Sequence, residues 1–192
     1  LLASTVKNLL KEGTKTYNSK QIADSIDFYG AFLETDIDND RVSVDLYCLT
    51  HHVDNVLPIV VDVILNAQFP QNELENYLKR RKQAFLINQE KVSTLAGQAY
   101  QNLIYKDSQY SSVPTLNDFE NVTREDCIKF HEEYYNLNNL EIFIAGKSSD
   151  FIQQLLNGHL GSEKLNKKKI KFSFNQPNYN QSNEFILKED AI

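Results

Sequence analysis

The side chains best suited to bind a metal or attack a carbon are four histidines and two cysteines, and their spacing decides what chemistry they could share. His131-Glu-Glu-Tyr-Tyr135 falls one residue short of the H-E-x-x-H pattern, in which two histidines a helical turn apart hold zinc and the glutamate acts as base. Tyr135 stands where the second histidine would be, so the segment reads as a helix surface carrying a histidine beside two carboxylates. His51 and His52 are adjacent at a helix start; successive helical residues point about 100 degrees apart, so the two do not converge on one ion. His159 reads as a loop residue beside Gly158. Cys48, in a strand over 41–50, and Cys127, in a helix, make no disulfide framework and read as buried free thiols. Asp36-Ile-Asp-Asn-Asp40 is acidic enough to suggest calcium, but an EF-hand loop also needs a glycine at its sixth position and a glutamate at its twelfth. Neither is present, so the segment reads as a solvated hairpin turn. No Ser-His-Asp or Cys-His set follows from spacing.

The periodicity shows which elements would have to position any such site. Leu2, Ala3, Val6, Leu9 and Leu10 fall on one stripe of a helix over 1–12. Gly13 stands where a left-handed cap would end it. Asn18 or Ser19 caps a second helix, over 18–29, that Gly30 stops. Residues 31–36 and 41–50 alternate as the arms of an antiparallel hairpin. Val53, Val56, Leu57, Val60, Val61, Ile64 and Leu65 repeat at three and four, giving a helix over about 54–67. Asn55 as its cap keeps Pro58 near the first turn, where proline is tolerated. Further helices are expected over 70–90 and 94–106, after Asn117, after a capping pair Thr123/Asp126, and over 150–156. The basic run Lys79 to Lys82 reads as a solvated helix face. Asn139 to Gly146 reads as a buried strand. A hairpin followed by amphipathic helices predicts an α+β fold, an antiparallel sheet with the helices packed mainly on one face.

The run Leu9-Leu-Lys-Glu-Gly-Thr-Lys-Thr-Tyr17, followed by Ile22-Ala-Asp-Ser-Ile-Asp-Phe-Tyr-Gly-Ala-Phe-Leu33, resembles the insulinase/pitrilysin-type zinc metallopeptidases. Within them it is most similar to the mitochondrial-processing-peptidase branch and its bacterial relatives. The resemblance covers residues 1–160 well. It implies a metallopeptidase-like domain over 1–160 that lacks its first strands, with 161–192 as linker and strands leading into a second, similar domain. Active members carry the inverted motif H-x-x-E-H on the first helix, a few residues before a Gly-Thr turn. Counting back from Gly13-Thr14 places the motif on Ser4-Thr-Val-Lys7-Asn8. Ser4 and Asn8 then occupy the two histidine positions, and Lys7 the position of the glutamate base. The third ligand, a glutamate, would fall near Phe85. The window Arg81 to Gln89 holds no acidic residue, and the nearest is Glu90. A His-Pro-Tyr-Gly segment of relatives reads Gln109-Tyr110-Ser111-Ser112 here.

The resemblance therefore implies the family's fold without its chemistry: no catalytic residue, no metal ligand and no cofactor, with zinc only if the family's activity is retained elsewhere. As partners it implies an active homologous subunit or a second domain of the same chain, and extended peptides. In active relatives such peptides pair with a strand through main-chain hydrogen bonds. Two other functions stay open: a fragment of a zinc-dependent metalloendopeptidase whose site is completed elsewhere, and a plain protein-interaction domain.

Composition narrows the classes. A hydrophobic content of 41% suffices for a core, and a formal charge of −6 argues against nucleic-acid binding, which wants a basic face. No apolar run is long enough to span a membrane. The chain has no methionine, opens directly in a helix and runs out in a strand, so it is expected to be part of a longer protein. For a bacterial relative the periplasm and the cytoplasm both remain open.

Overall fold

The structure, a computed structural model, describes residues 1–106, 108–147 and 150–161. The elements run α1 (Leu2–Leu9), α2 (Ser19–Phe28), β1 (Phe32–Ile37), β2 (Val42–Tyr47), α3 (Val53–Leu65), α4 (Gln71–Gln89), α5 (Val92–Tyr105), α6 (Leu116–Asn121), α7 (Arg124–Tyr134) and α8 (Asp150–Leu160). This is a mostly helical α+β chain with a two-stranded antiparallel hairpin among the described residues. The expected linker and strands after Gly161 lie outside those residues.

Two compact units divide the chain. Among the described residues the first takes Leu2–Leu74 and those from Val122 on, and the second is built from Glu75–Asn121. In the first unit, α1 lies against both β1 and α7, α2 packs on β1 and α3, and α3 also meets α8. The apolar stripe of α1 is buried at Val6, Leu9 and Leu10, together with Ile22 and Ile26 of α2 and Leu33 of β1. Each such side chain contributes roughly 1.5–3 kcal/mol when fully buried. Local chemistry sets the helix starts. The Asn18 side chain accepts from the Gln21 amide and the Gln21 side chain accepts from the Asn18 amide, a reciprocal cap for α2. Thr123 and Asp126 do the same for α7. The turn after α1 is zipped to the turn after α3. The Gln68 amide donates to the Gly13 carbonyl at 2.9 Å and the Lys15 amide to the Asn66 carbonyl at 3.2 Å.

Several details differ from the sequence reading. α1 tightens into a 3₁₀ turn over Leu10–Glu12 before it ends. Gly13 is no left-handed cap: its φ of +151° with ψ of 147° is an extended conformation open to glycine, and an added Cβ would also sit 3.4 Å from Pro70 Cγ. α3 starts at Val53 after a 3₁₀ turn over Thr50–His52, which places Pro58 well inside the helix, where it removes one ladder hydrogen bond. The buried face of α3 is Val56, Ile59, Val60 and Val63, so Ile59 and Val63 replace Leu57 and Val61 at its centre. Cys48 follows β2 and is half-buried. Cys127 is fully buried, and burial pushes its thiol up to about 11. α8 runs on to Leu160 and takes in Gly158 and His159, which therefore are not loop residues.

Leu140 to Ala145 forms no strand, and Ile142, Phe143 and Ile144 are exposed, Phe143 at 89%. Its composition suits a central strand, but no neighbour pairs with it among the described residues, and a strand without a ladder is not held. His131 is likewise no surface histidine. It is 5% exposed, its Nε2 lies 2.7 Å from the Ile64 carbonyl, and its ring meets the edge of Phe69 and stacks on Tyr135.

In the second unit the ring of Phe85 on α4 lies 5.3 Å from that of Phe119 on α6. Lys82 pairs with Glu120 at 2.7 Å and holds that carboxyl below its ordinary range. Lys79, Arg80 and Arg81 are exposed, as a solvated basic face requires.

Candidate functional site

The positions singled out on the first helix share one exposed-to-half-buried face of α1. Ser4 and Asn8 are a helical turn apart, and the Asn8 Nδ2 donates back to the Ser4 carbonyl at 2.7 Å. Lys7 sends its Nζ to the Asn8 Oδ1 at 3.3 Å and to the Thr35 carbonyl of β1 at 3.1 Å. One turn on, Lys11 sends its Nζ to the Leu33 carbonyl at 2.9 Å. The helix and the strand are thus bridged by two ammonium groups.

This donor set does not fit zinc. Structural and catalytic zinc sites use thiolate, imidazole or carboxylate ligands. Ser4 offers a neutral hydroxyl, Asn8 has its amide oxygen already accepting from Lys7, and Lys7 brings a positive charge to the same spot. Among the described residues no group of three or more His, Cys, Asp or Glu side chains gathers to hold a metal. Phe85 sits half-buried in α4, and Glu90 follows the end of that helix, its amide bonded to the Ile87 carbonyl at 3.3 Å. Tyr110 belongs to a 3₁₀ turn over Gln109–Ser111, its ring 5.5 Å from that of Tyr105. The rings of His51 and His52 touch at 3.9 Å, and Tyr29 lies against His52, so this pair is packed aromatically.

Sequence reasoning missed three side-chain contacts to the main chain. Lys11 carried no motif. Arg124, the first residue of α7, donates Nε to the Phe69 carbonyl at 2.9 Å and Nη2 to the Gln68 carbonyl at 2.7 Å. His131 reaches a carbonyl on α3. Lysines one turn apart facing a strand could have suggested the first; nothing local marks the other two.

A first helix thus lies on the strand of a hairpin, with a glycine-led turn after it, and that helix carries no His, Cys, Asp or Glu. The chain belongs to peptidase family M16. Residues 2–112 match the family described as Insulinase (Peptidase family M16), and residues 121–191 the one described as Peptidase M16 inactive domain. It is 24% identical over 147 residues to a protein of Rickettsia bellii described as an uncharacterized zinc protease, covering 76% of this chain and 36% of that one. Among solved structures, a protease from Helicobacter pylori superposes with a TM-score of 0.81 at 16% identity, covering 92% of this chain and 44% of the other. The peptidase M16 inactive domain from Pseudomonas fluorescens does so with a TM-score of 0.79 at 16% identity, with the same coverage. The chain therefore spans less than half the length of each of these proteins. Among the described residues no helix is long and apolar enough to cross a membrane.

Proposed function

We propose that this chain is a non-catalytic member of the M16 family, acting as a partner or scaffold that helps enclose extended peptides beside an active homologous subunit or a second domain. Residues 1–160 supply the metallopeptidase-like domain, and 161–192 lead towards a second one. The observation that carries this reading is the state of α1: Lys7, at the position of the base, is bonded to Asn8 and to the β1 main chain. Hydrolysis by metal-bound water needs three protein ligands, an open coordination position and a base, and Ser4, Lys7 and Asn8 provide none of these. A second reading, a fragment of a zinc endopeptidase whose site is completed elsewhere, is favoured by the zinc-protease description of a longer relative.

The test uses the full-length protein, purified with and without an active homologue from the same source. Long-peptide hydrolysis should be absent for this protein alone and rise several-fold on mixing. Elemental analysis after zinc reconstitution should find no ion lost on mutating Asn8. Chelator-sensitive turnover by the isolated protein would establish the second reading instead. No effect on mixing, together with no peptide affinity at high micromolar concentration, would leave only an interaction domain.

A further inference from the structure

Among the described residues β1 has β2 on one side only. The register fixes what its other side offers. Near the turn the Asp38 amide donates to the Arg41 carbonyl at 3.0 Å, so the hydrogen-bonded pairs run Asp36–Ser43, Glu34–Asp45 and Phe32–Tyr47. Leu33 and Thr35 belong to the alternate set, opposite Leu46 and Val44, and aim their carbonyls at the edge away from β2. Those are the two carbonyls that Lys11 and Lys7 hold. The spacings agree. Four residues along a helix advance about 6 Å, slightly more where the helix tightens to 3₁₀. Two residues along a strand advance roughly 6.6 Å. Lysines one turn apart on α1 are therefore in step with alternate carbonyls of β1.

We infer that Lys7 and Lys11 plug the edge of β1 away from β2 and bar an extended chain from adding there as a further strand. An added strand must place its own amides on the Leu33 and Thr35 carbonyls. Both acceptors already take a charge-assisted hydrogen bond. The remaining ammonium protons present donors to incoming amides, which need acceptors. Lysines guard sheet edges against such pairing in many proteins; here they come from the helix behind the strand. The inference goes beyond the enclosing role proposed above and limits it: with the plug in place, a peptide held by this chain rests on other surfaces. Its test does not depend on that role, because turnover by the isolated protein would leave the binding comparison intact.

The variant K7M/K11M keeps both side-chain stems and removes both donors. Its binding to an end-capped, fluorescein-labelled octapeptide of alternating threonine and valine is read by anisotropy in the full-length protein. The double variant should bind at least about tenfold more tightly than the unaltered protein, with K7M and K11M singly in between. A double variant with unchanged circular dichroism that binds no better overturns the inference. Should the double variant misfold, the unaltered protein still decides: the ¹⁵N-labelled ammonium groups of Lys7 and Lys11 should exchange protons with water several-fold more slowly than that of exposed Lys79, and equal rates would refute the plug.

Discussion

Replacing Arg124 by lysine keeps the charge and removes the fork, which isolates what the guanidinium geometry contributes. Arg124 grips the carbonyls of two consecutive residues, Gln68 and Phe69, at 2.7 and 2.9 Å. The second of these is fully buried with φ of +50°, a left-handed backbone that costs roughly 1–2 kcal/mol for a residue other than glycine. The clamp and the Gln68-to-Gly13 hydrogen bond hold that turn where it is. A hydrogen bond to a charged group contributes about 1.5–3 kcal/mol, so two sum to about 3–6 kcal/mol as an upper bound. Arg124 is half-exposed, and the freed carbonyls recover some water. R124A should therefore cost about 2–3 kcal/mol, roughly half that bound. Lysine is a point donor that reaches one carbonyl at a time, so R124K should lose about 1–1.5 kcal/mol, half of the alanine loss. Urea unfolding of the full-length protein, followed by circular dichroism at constant m, measures both. R124K within about 0.3 kcal/mol of the unaltered protein would show that the fork geometry contributes nothing. R124A losing under about 0.5 kcal/mol would remove the clamp from the account altogether.

Two further outcomes follow from buried and capping groups. H131A empties a buried ring site and strips the Ile64 carbonyl of its partner, so it should cost about 3–5 kcal/mol. H131N keeps a donor and should recover about 1 kcal/mol, whereas equal losses would mean that packing against Phe69 and Tyr135 acts alone. T123A should cost about 1 kcal/mol by loss of the α7 cap. The Asp126 carboxyl is held below its ordinary value of 3.8 first by the Thr123 hydroxyl and then by the Thr123 amide. Its folded pKa lies below its unfolded one, so its contribution is present above about pH 4 and lost as pH falls through the folded value. Stability between about pH 5 and pH 3 should fall less steeply in T123A, and an unchanged slope would contradict the cap.

What the sequence revealed was chiefly what neighbours in sequence decide. The helix start at Asn18 or Ser19 and the capping pair Thr123/Asp126 depend on residues at most three apart, so those side chains meet whatever the rest of the fold does. The hairpin alternates over its own length, and the apolar stripe of α1 needs only helical spacing. His131 was misread because its burial depends on the Ile64 carbonyl, 67 positions away, and no local pattern announces a carbonyl. Beside it the Tyr135 hydroxyl is buried without a hydrogen-bond partner among the described residues, and burial pushes it upward. The candidate site divides the same way. That Lys7 is a cation at the position the resemblance assigns to the base is legible in one letter. That it bonds the main chain of Thr35, 28 positions on, is not.

The two extended segments of the first unit show why pattern alone could not settle the sheet. Phe32–Ile37 and Leu140–Ala145 are similarly rich in residues that favour strands, and the second is the more apolar of the two. Strand preference measures how well side chains pack on a pleated surface against neighbours, so it is realised only where a neighbour stands. Phe32–Ile37 has β2 on one side, joined through a turn whose Asp38 carboxylate accepts from the Asp40 and Arg41 amides, and lysines of α1 on the other. The row facing β2 is paired, two carbonyls of the other row take the lysines, and Leu33 is buried beneath them. Leu140–Ala145 has no such ladder among the described residues, and its Ile142, Phe143 and Ile144 stay in water. Pairing, which the local turn supplies for the hairpin and which for Leu140–Ala145 would have to come from residues distant in sequence, separates a strand from an extended segment.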